Sequence, residues 1–264
     1  SVSTIQSIQK KTGVSESELQ CGIHPVFDNI TGENMRERGE ELTSNRHNCS
    51  GKHTGMLAFA HMQNWSKTDY LDLDHNVQYK ILSTFSEMSG VPIDEIVIGI
   101  DGCSAPNFAV PLHNTALAYA RLCDPEVFSK ERASACNAIT AAMTNISFMV
   151  GGPGRFDTRL MEVTSGQIVS KGGAEGYQAL GIMPGALSPD SPALGIALKI
   201  SDGDLRSRAR PAVSLEILRQ LKALNSTQES ELSEFGPSRP LKNHREIEVG
   251  VTNPAFQLNL ISPM

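Results

Sequence analysis

Apolar residues recur at helical spacing along the first half of the chain and gather into short runs along the second. Residues 3 to 12 carry one short helical pattern, Gly13 ends it, and Ser15 facing Glu18 marks a capped new start. From Cys21 to Asn48 the pattern is irregular. Gly51-Lys52-His53 then opens an amphipathic helix with Met56, Leu57 and Ala60 on one face. Val77, Ile81, Leu82 and Phe85 repeat the period over 75 to 88, and Gly90-Val91-Pro92 breaks it. Ile96-Val97-Ile98-Gly99-Ile100 has the composition of a buried strand. Residues 115 to 149 predict two helical pieces, parted around Asp124-Pro125 and ended by Gly151-Gly152-Pro153-Gly154.

Beyond this point the period shortens. Leu160 to Val163, Gln167 to Ser170, Tyr177 to Met183 and Leu194 to Ile200 read as consecutive strands joined by turn residues, an antiparallel meander. Val213, Leu215, Leu218, Leu221 and Leu224 form the apolar stripe of a long helix over 211 to 224. Residues 225 to 240 predict an exposed loop, and Ile247, Val249 and Val251 alternate as a last strand. A helical block at about 51 to 150 beside a sheet block at about 155 to 251 predicts a single α+β domain over 1 to 264.

Composition narrows the partners. Of the 264 residues 39% are hydrophobic and 20% charged, an ordinary globular balance, and no apolar run approaches the roughly 18 residues of a membrane span. A net charge of −6 without clustered Lys and Arg excludes a nucleic-acid partner and favours a small molecule. Five cysteines at irregular spacing do not form a secreted disulfide framework, which predicts a reducing, cytoplasmic setting.

Three glycine-bounded clusters concentrate reactive side chains: Asn48-Cys49-Ser50-Gly51-Lys52-His53, Gly99-Ile100-Asp101-Gly102-Cys103-Ser104-Ala105-Pro106-Asn107, and Lys171-Gly172-Gly173-Ala174-Glu175-Gly176. Cys49 and Lys52, three residues apart at a helix start, face the same way, and soft thiolates at 49 and 103 would suit one zinc ion. Lys52 could join them as a neutral amine at a cost of roughly 4 to 5 kcal/mol at pH 7, within the roughly 10 to 16 kcal/mol that structural zinc supplies. The other reading of Cys49 and Cys103 is two buried thiols, the reading taken for Cys21, Cys123 and Cys136. Lys171-Gly172-Gly173 at a strand end is either a solvated turn or an element that resembles the Lys-Thr-Gly of serine β-lactamases and penicillin-binding proteins.

Together with Gly151-Gly152-Pro153-Gly154-Arg155-Phe156-Asp157 and Ala197-Leu198-Lys199-Ile200-Ser201-Asp202-Gly203-Asp204, the clusters resemble the rhizobial-type L-asparaginase family from about residue 5 to residue 251. The resemblance implies a fold similar to serine β-lactamases and penicillin-binding proteins, a homodimer, and zinc held by Cys49, Lys52 and Cys103. It implies Asp101 and Lys171 as catalytic residues, Lys171 as the lysine of a second Ser-Lys pair, and His53, Gly172 and Gly173 beside the amide substrate. In the family, the Ser-x-x-Lys nucleophile and strands of the central sheet come from an N-terminal stretch without counterpart in these residues. The domain is therefore expected to be N-terminally incomplete, with apolar sheet surface uncovered and the activity of the chain by itself left open. Ser7-Ile8-Gln9-Lys10 shares the spelling, but it lies in a polar helix and is expected to face solvent. A glutaminase or specialised-metabolism amidase of the same fold, or a catalytically dead zinc-binding fragment, are the alternatives.

Overall fold

The computed structural model describes residues 2–205, 207–259 and 261. The chain divides into two compact units, Ser1–Val110 and Pro111–Met264. Together they make a mixed α+β fold with small antiparallel sheets. Among the described residues no helix is long and apolar enough to cross a membrane.

The first unit is mainly helical: α1 (Val2–Thr12), α2 (Asn29–Glu37), α3 (Ser50–Met62) and α4 (Asn76–Ser89) precede a hairpin of β1 (Val97–Ile100) and β2 (Pro106–Ala109). Its core gathers Leu19, Met56, Leu57, Ala60, Tyr70 and Val77 with Cys103 and Ala105. Helix α1 buries Ile5 and Gln9, and the Gln9 amide exchanges hydrogen bonds with Asn45 at 2.7 and 3.2 Å, so this buried polar pair is satisfied. Ser7 and Lys10 lie on the exposed face of α1, as the polar helix predicts.

The second unit opens with α5 (Leu112–Cys123), α6 (Lys130–Asn145), α7 (Ser147–Gly151) and α8 (Phe156–Val163). The meander follows as β3 (Ile168–Gly173), β4 (Tyr177–Ile182) and β5 (Leu194–Lys199), each antiparallel to the next. Helix α5 packs on β4 and β5 at backbone contact distance. A Cβ on Gly195 would sit 1.7 Å from the Ala116 carbonyl oxygen, so only glycine admits this approach. Then come α9 (Ala209–Gln220), α10 (Ser226–Glu231) and a hairpin of β6 (Arg239–Lys242) and β7 (Glu248–Thr252). Phe156, Leu160, Ile168, Leu180, Ile182, Leu215 and Leu218 form the core of this unit.

Several expectations change. The 96–100 run is a strand but not a buried one: Val97 and Ile100 are 67% and 68% exposed, because among the described residues β1 has only β2 beside it. Leu160 to Val163 belongs to helix α8 and not to the meander. The stretch 225–240 holds α10 and the start of β6, and the strands form three separate sheets among the described residues.

Candidate functional site

Two segments of the first unit converge. Cys49 is the N-cap residue of α3, and its N–H donates to His47 Nδ1 at 2.9 Å, which anchors the approach to the helix. Lys52 follows one turn later. The second segment is the turn between β1 and β2, closed by Asp101 N–H to the Ala105 carbonyl (2.8 Å) and Ser104 N–H to the Asp101 carbonyl (2.9 Å). Ser104 takes a left-handed φ of 71° to complete it. Gly102 N–H donates to Asp101 Oδ1 at 2.8 Å, leaving Oδ2 to face Lys52 Nζ at 3.2 Å and Cys103 Sγ at 3.6 Å. The ligand atoms of Cys49, Asp101 and Cys103 all lie within 4.8 Å of one another, and both cysteines are free thiols.

The charges of this cluster hold one another in place. Burial works against charge on Lys52, but the neighbouring Cys103 and Cys49 thiols and the Asp101 carboxylate outweigh it and keep the ammonium above its ordinary pKa. Burial likewise opposes ionisation of Asp101, and the hydrogen bonds from Lys52 and Gly102 N–H carry its pKa below the usual range. Burial pushes the Cys49 thiol up to about 11, against the pull of Lys52. Two soft sulfur donors with an ionised carboxylate and an amine at hand form a set able to hold a metal ion once the thiols lose their protons.

His53, expected beside the substrate, is fully buried next to this cluster. Burial, with the positive charge of Lys52 next, lowers its pKa to about 4, so the ring is neutral at neutral pH. Tyr70 Oη accepts the Gln20 N–H at 2.9 Å and lies 2.6 Å from His53 Nδ1. A Tyr70 hydroxyl that donates to Nδ1 leaves only Nε2–H unpaired, whereas the reverse leaves both the Tyr70 hydrogen and Nε2 unpaired. The first arrangement has the lower energy and places the His53 proton on Nε2, which is buried without a partner among the described residues.

Lys171, Gly172 and Gly173 belong to the second unit, at the end of β3. The exposed Lys171 amine donates to the Gly172 carbonyl. Behind the strand lies a buried polar network that no local pattern announces. Asp157, 7% exposed in the first turn of α8, accepts from Ser170 Oγ (2.6 Å), Gly172 N–H (2.8 Å) and Gln178 Nε2 (2.8 Å). Arg210 of α9, also 7% exposed, donates from Nη1 to the Tyr177 carbonyl at 3.2 Å. Asp157 closes the glycine-led motif at 151–157, the only signal that could have found it. Ser170 and Gln178 meet it only through tertiary structure. The candidate residues thus fall into two clusters: Cys49, Lys52, Asp101 and Cys103 converge in one unit, and the lysine strand stands in the other.

Among curated proteins none matches this chain. A model of the L-asparaginase II family matches residues 1–254, a span that includes the thiol cluster, the glycine-led motif and the lysine strand. With nearly the whole sequence matched, the chain belongs to the L-asparaginase II family.

Proposed function

We propose that the chain is an amidohydrolase that converts L-asparagine to L-aspartate and ammonia by Ser-Lys acyl-enzyme chemistry, on a fold like that of serine β-lactamases. Family membership supports the amide substrate. The fold reading is supported by the antiparallel β3–β5 meander with a lysine at the end of its first strand and helix α9 after it.

In this chemistry a serine oxygen attacks the side-chain carbonyl carbon and the C–N bond breaks. The serine is not assigned to a residue of this chain. A neutral lysine takes the serine proton and returns it to the departing ammonia, with Lys171 as the second lysine whose charge helps to keep the first one neutral, and water then cleaves the acyl ester to aspartate. Gly172 and Gly173 offer the substrate main-chain groups beside Lys171, and the face where a Gly172 side chain would stand is taken by Arg210 and Asp157. Asp101, ionised and 43% exposed, is the catalytic acidic group of the first unit, beside the residues that would hold the metal.

Cys49, Lys52 and Cys103 would hold zinc, whose tetrahedral sulfur and nitrogen coordination their donors suit. Bound there, zinc supplies a fixed positive charge that organises Asp101 and its turn. Lys52 must give up its proton to serve, and it then leaves Asp101 to face the ion.

The convergence of two thiols, an amine and a carboxylate, in a chain matched almost end to end to one family, carries this reading. Ammonia release from L-asparagine and from L-glutamine by the zinc-loaded chain joined to a family-like N-terminal segment that carries Ser-x-x-Lys tests it. The expected result is a kcat/KM at least about tenfold higher for L-asparagine, lost on Lys171→Met. A preference for L-glutamine would identify a glutaminase, and silence toward both amides with zinc bound and the segment present would identify a zinc-binding module.

A further inference from the structure

We infer that Asp157 is the positioning residue of the catalytic lysine: one buried carboxylate ties down the residues on both sides of Lys171. The inference rests on the assignment of Lys171 given above and extends it to a residue with no assigned role.

Side chains alternate across a strand, so Ser170 points inward where Lys171 points outward. Asp157 Oδ1 accepts the Ser170 hydroxyl at 2.6 Å, and Oδ2 accepts the Gly172 N–H at 2.8 Å. The backbone that carries Lys171 is therefore held at its preceding side chain and at its following amide by the same group. Among the described residues β3 has β4 as its only strand neighbour, so α8 provides a second anchor through Asp157. Gln178 of β4, which pairs with Gly172, donates to Oδ1 at 2.8 Å and ties the same carboxylate to the next strand.

The space behind Gly172 is filled as well. A Cβ there would lie 2.2 Å from Arg210 Nη1 and 3.1 Å from Asp157 Oδ2. Arg210 cannot readily withdraw, because its guanidinium donates to the Tyr177 carbonyl and its own N–H donates to Asp204 Oδ2 at 2.8 Å. A carboxylate is costly to bury without full hydrogen bonding, and this one is satisfied by three donors that an apolar residue would leave unpaired. What an apolar residue cannot do is fix the lysine backbone from both sides, and general acid–base chemistry depends on that placement.

The test uses the full chain and two readouts. In the first, brief labelling with an N-hydroxysuccinimide ester of acetate is followed site by site by mass spectrometry. Asp157→Asn, which puts an amide donor into a carboxylate site where three donors already converge, should speed acetylation of Lys171 by about threefold or more through local opening. The exposed Lys130 and Lys222 of the same unit should keep their rates. Ser170→Ala removes one of the two ties and should give a smaller rise at Lys171 alone, and it decides the matter if Asp157→Asn does not fold. Equal acceleration at all three lysines, or none at Lys171, overturns the inference.

In the second readout, with the Ser-x-x-Lys segment joined, Asp157→Asn should lower kcat on L-asparagine by about 10- to 100-fold with KM held within about twofold, and should cost nothing further in a Lys171→Met background. A further loss of similar size in that background would make Asp157 a general structural residue and overturn the inference. If Lys171→Met itself leaves ammonia release intact, the assignment of Lys171 falls, while the labelling still decides whether Asp157 positions it.

Discussion

A methyl group added to Gly172 meets a guanidinium that is itself pinned, so the strand or the arginine must move. Gly172→Ala should cost about 1 to 3 kcal/mol, seen as a lower denaturant midpoint with an unchanged slope. Gly55, on the exposed side of α3, has nothing within 4 Å of the place its Cβ would take. Gly55→Ala should raise stability by about 0.5 to 1 kcal/mol by the same measurement. The two glycines look alike in sequence, because what forbids a side chain at 172 arrives from α9. Cys49, Lys52, Asp101 and Cys103 were legible because each lies within two residues of a glycine in a short reactive cluster. Asp157, Ser170 and Gln178 were not, because a buried hydrogen-bond network has no spacing of its own.

Helix α9 begins at Ala209, and Asp204 accepts the N–H groups of Arg208, Ala209 and Arg210 at 2.9, 3.1 and 2.8 Å. Asp204→Ala leaves those donors without their acceptor and should cost about 1 to 2 kcal/mol. Burial alone would raise the Asp204 pKa, but the three backbone bonds and the Arg210 charge outweigh it and hold it below the ordinary value. Its contribution is therefore present above the unfolded-chain pKa of about 3.9 and fades as pH falls through the lower folded value. Wild type and Asp204→Ala should converge in stability in acid, which thermal melts across the acid range will measure. Helices α3, α4 and α9 and the three strands of the meander follow from apolar period, since each buries one face or one run. Helix α8 was read as a strand because Leu160 to Val163 is a short apolar run without period. Only the tertiary burial of Phe156, Leu160 and Met161 shows its helical face. Helix α2 is missed for the opposite reason: it buries only Met35 and depends on Asp28, which caps Thr31 through both N–H (2.9 Å) and Oγ1 (2.6 Å).

In the Ser1–Val110 unit, a metal at the thiol cluster would join α3 to the β1–β2 turn. Zinc uptake must displace thiol protons, and burial keeps Cys49 protonated at neutral pH. Zinc affinity should therefore fall from pH 8 to pH 6 by about tenfold per unit for each proton displaced, and calorimetric titration in buffers of different ionisation heat measures those protons. At a free zinc concentration 100 times Kd, the folded state should gain about 2.7 kcal/mol, and Cys103→Ser should abolish that gain. Hydrogen exchange should slow together at 49–53 and 101–105. The α+β class is visible in the change of period along the chain, but the exposure of β1 is not. Hydrophobicity tells which residues gain from burial and is silent about what covers them. The same proximity that suits a metal has a redox side. Two sulfurs within 4.8 Å, one of them on a half-exposed cysteine, stand one two-electron oxidation from a cystine. Oxidised glutathione, itself reduced as the bridge forms, should leave a chain about 2 Da lighter. That chain should ignore zinc until dithiothreitol restores the thiols.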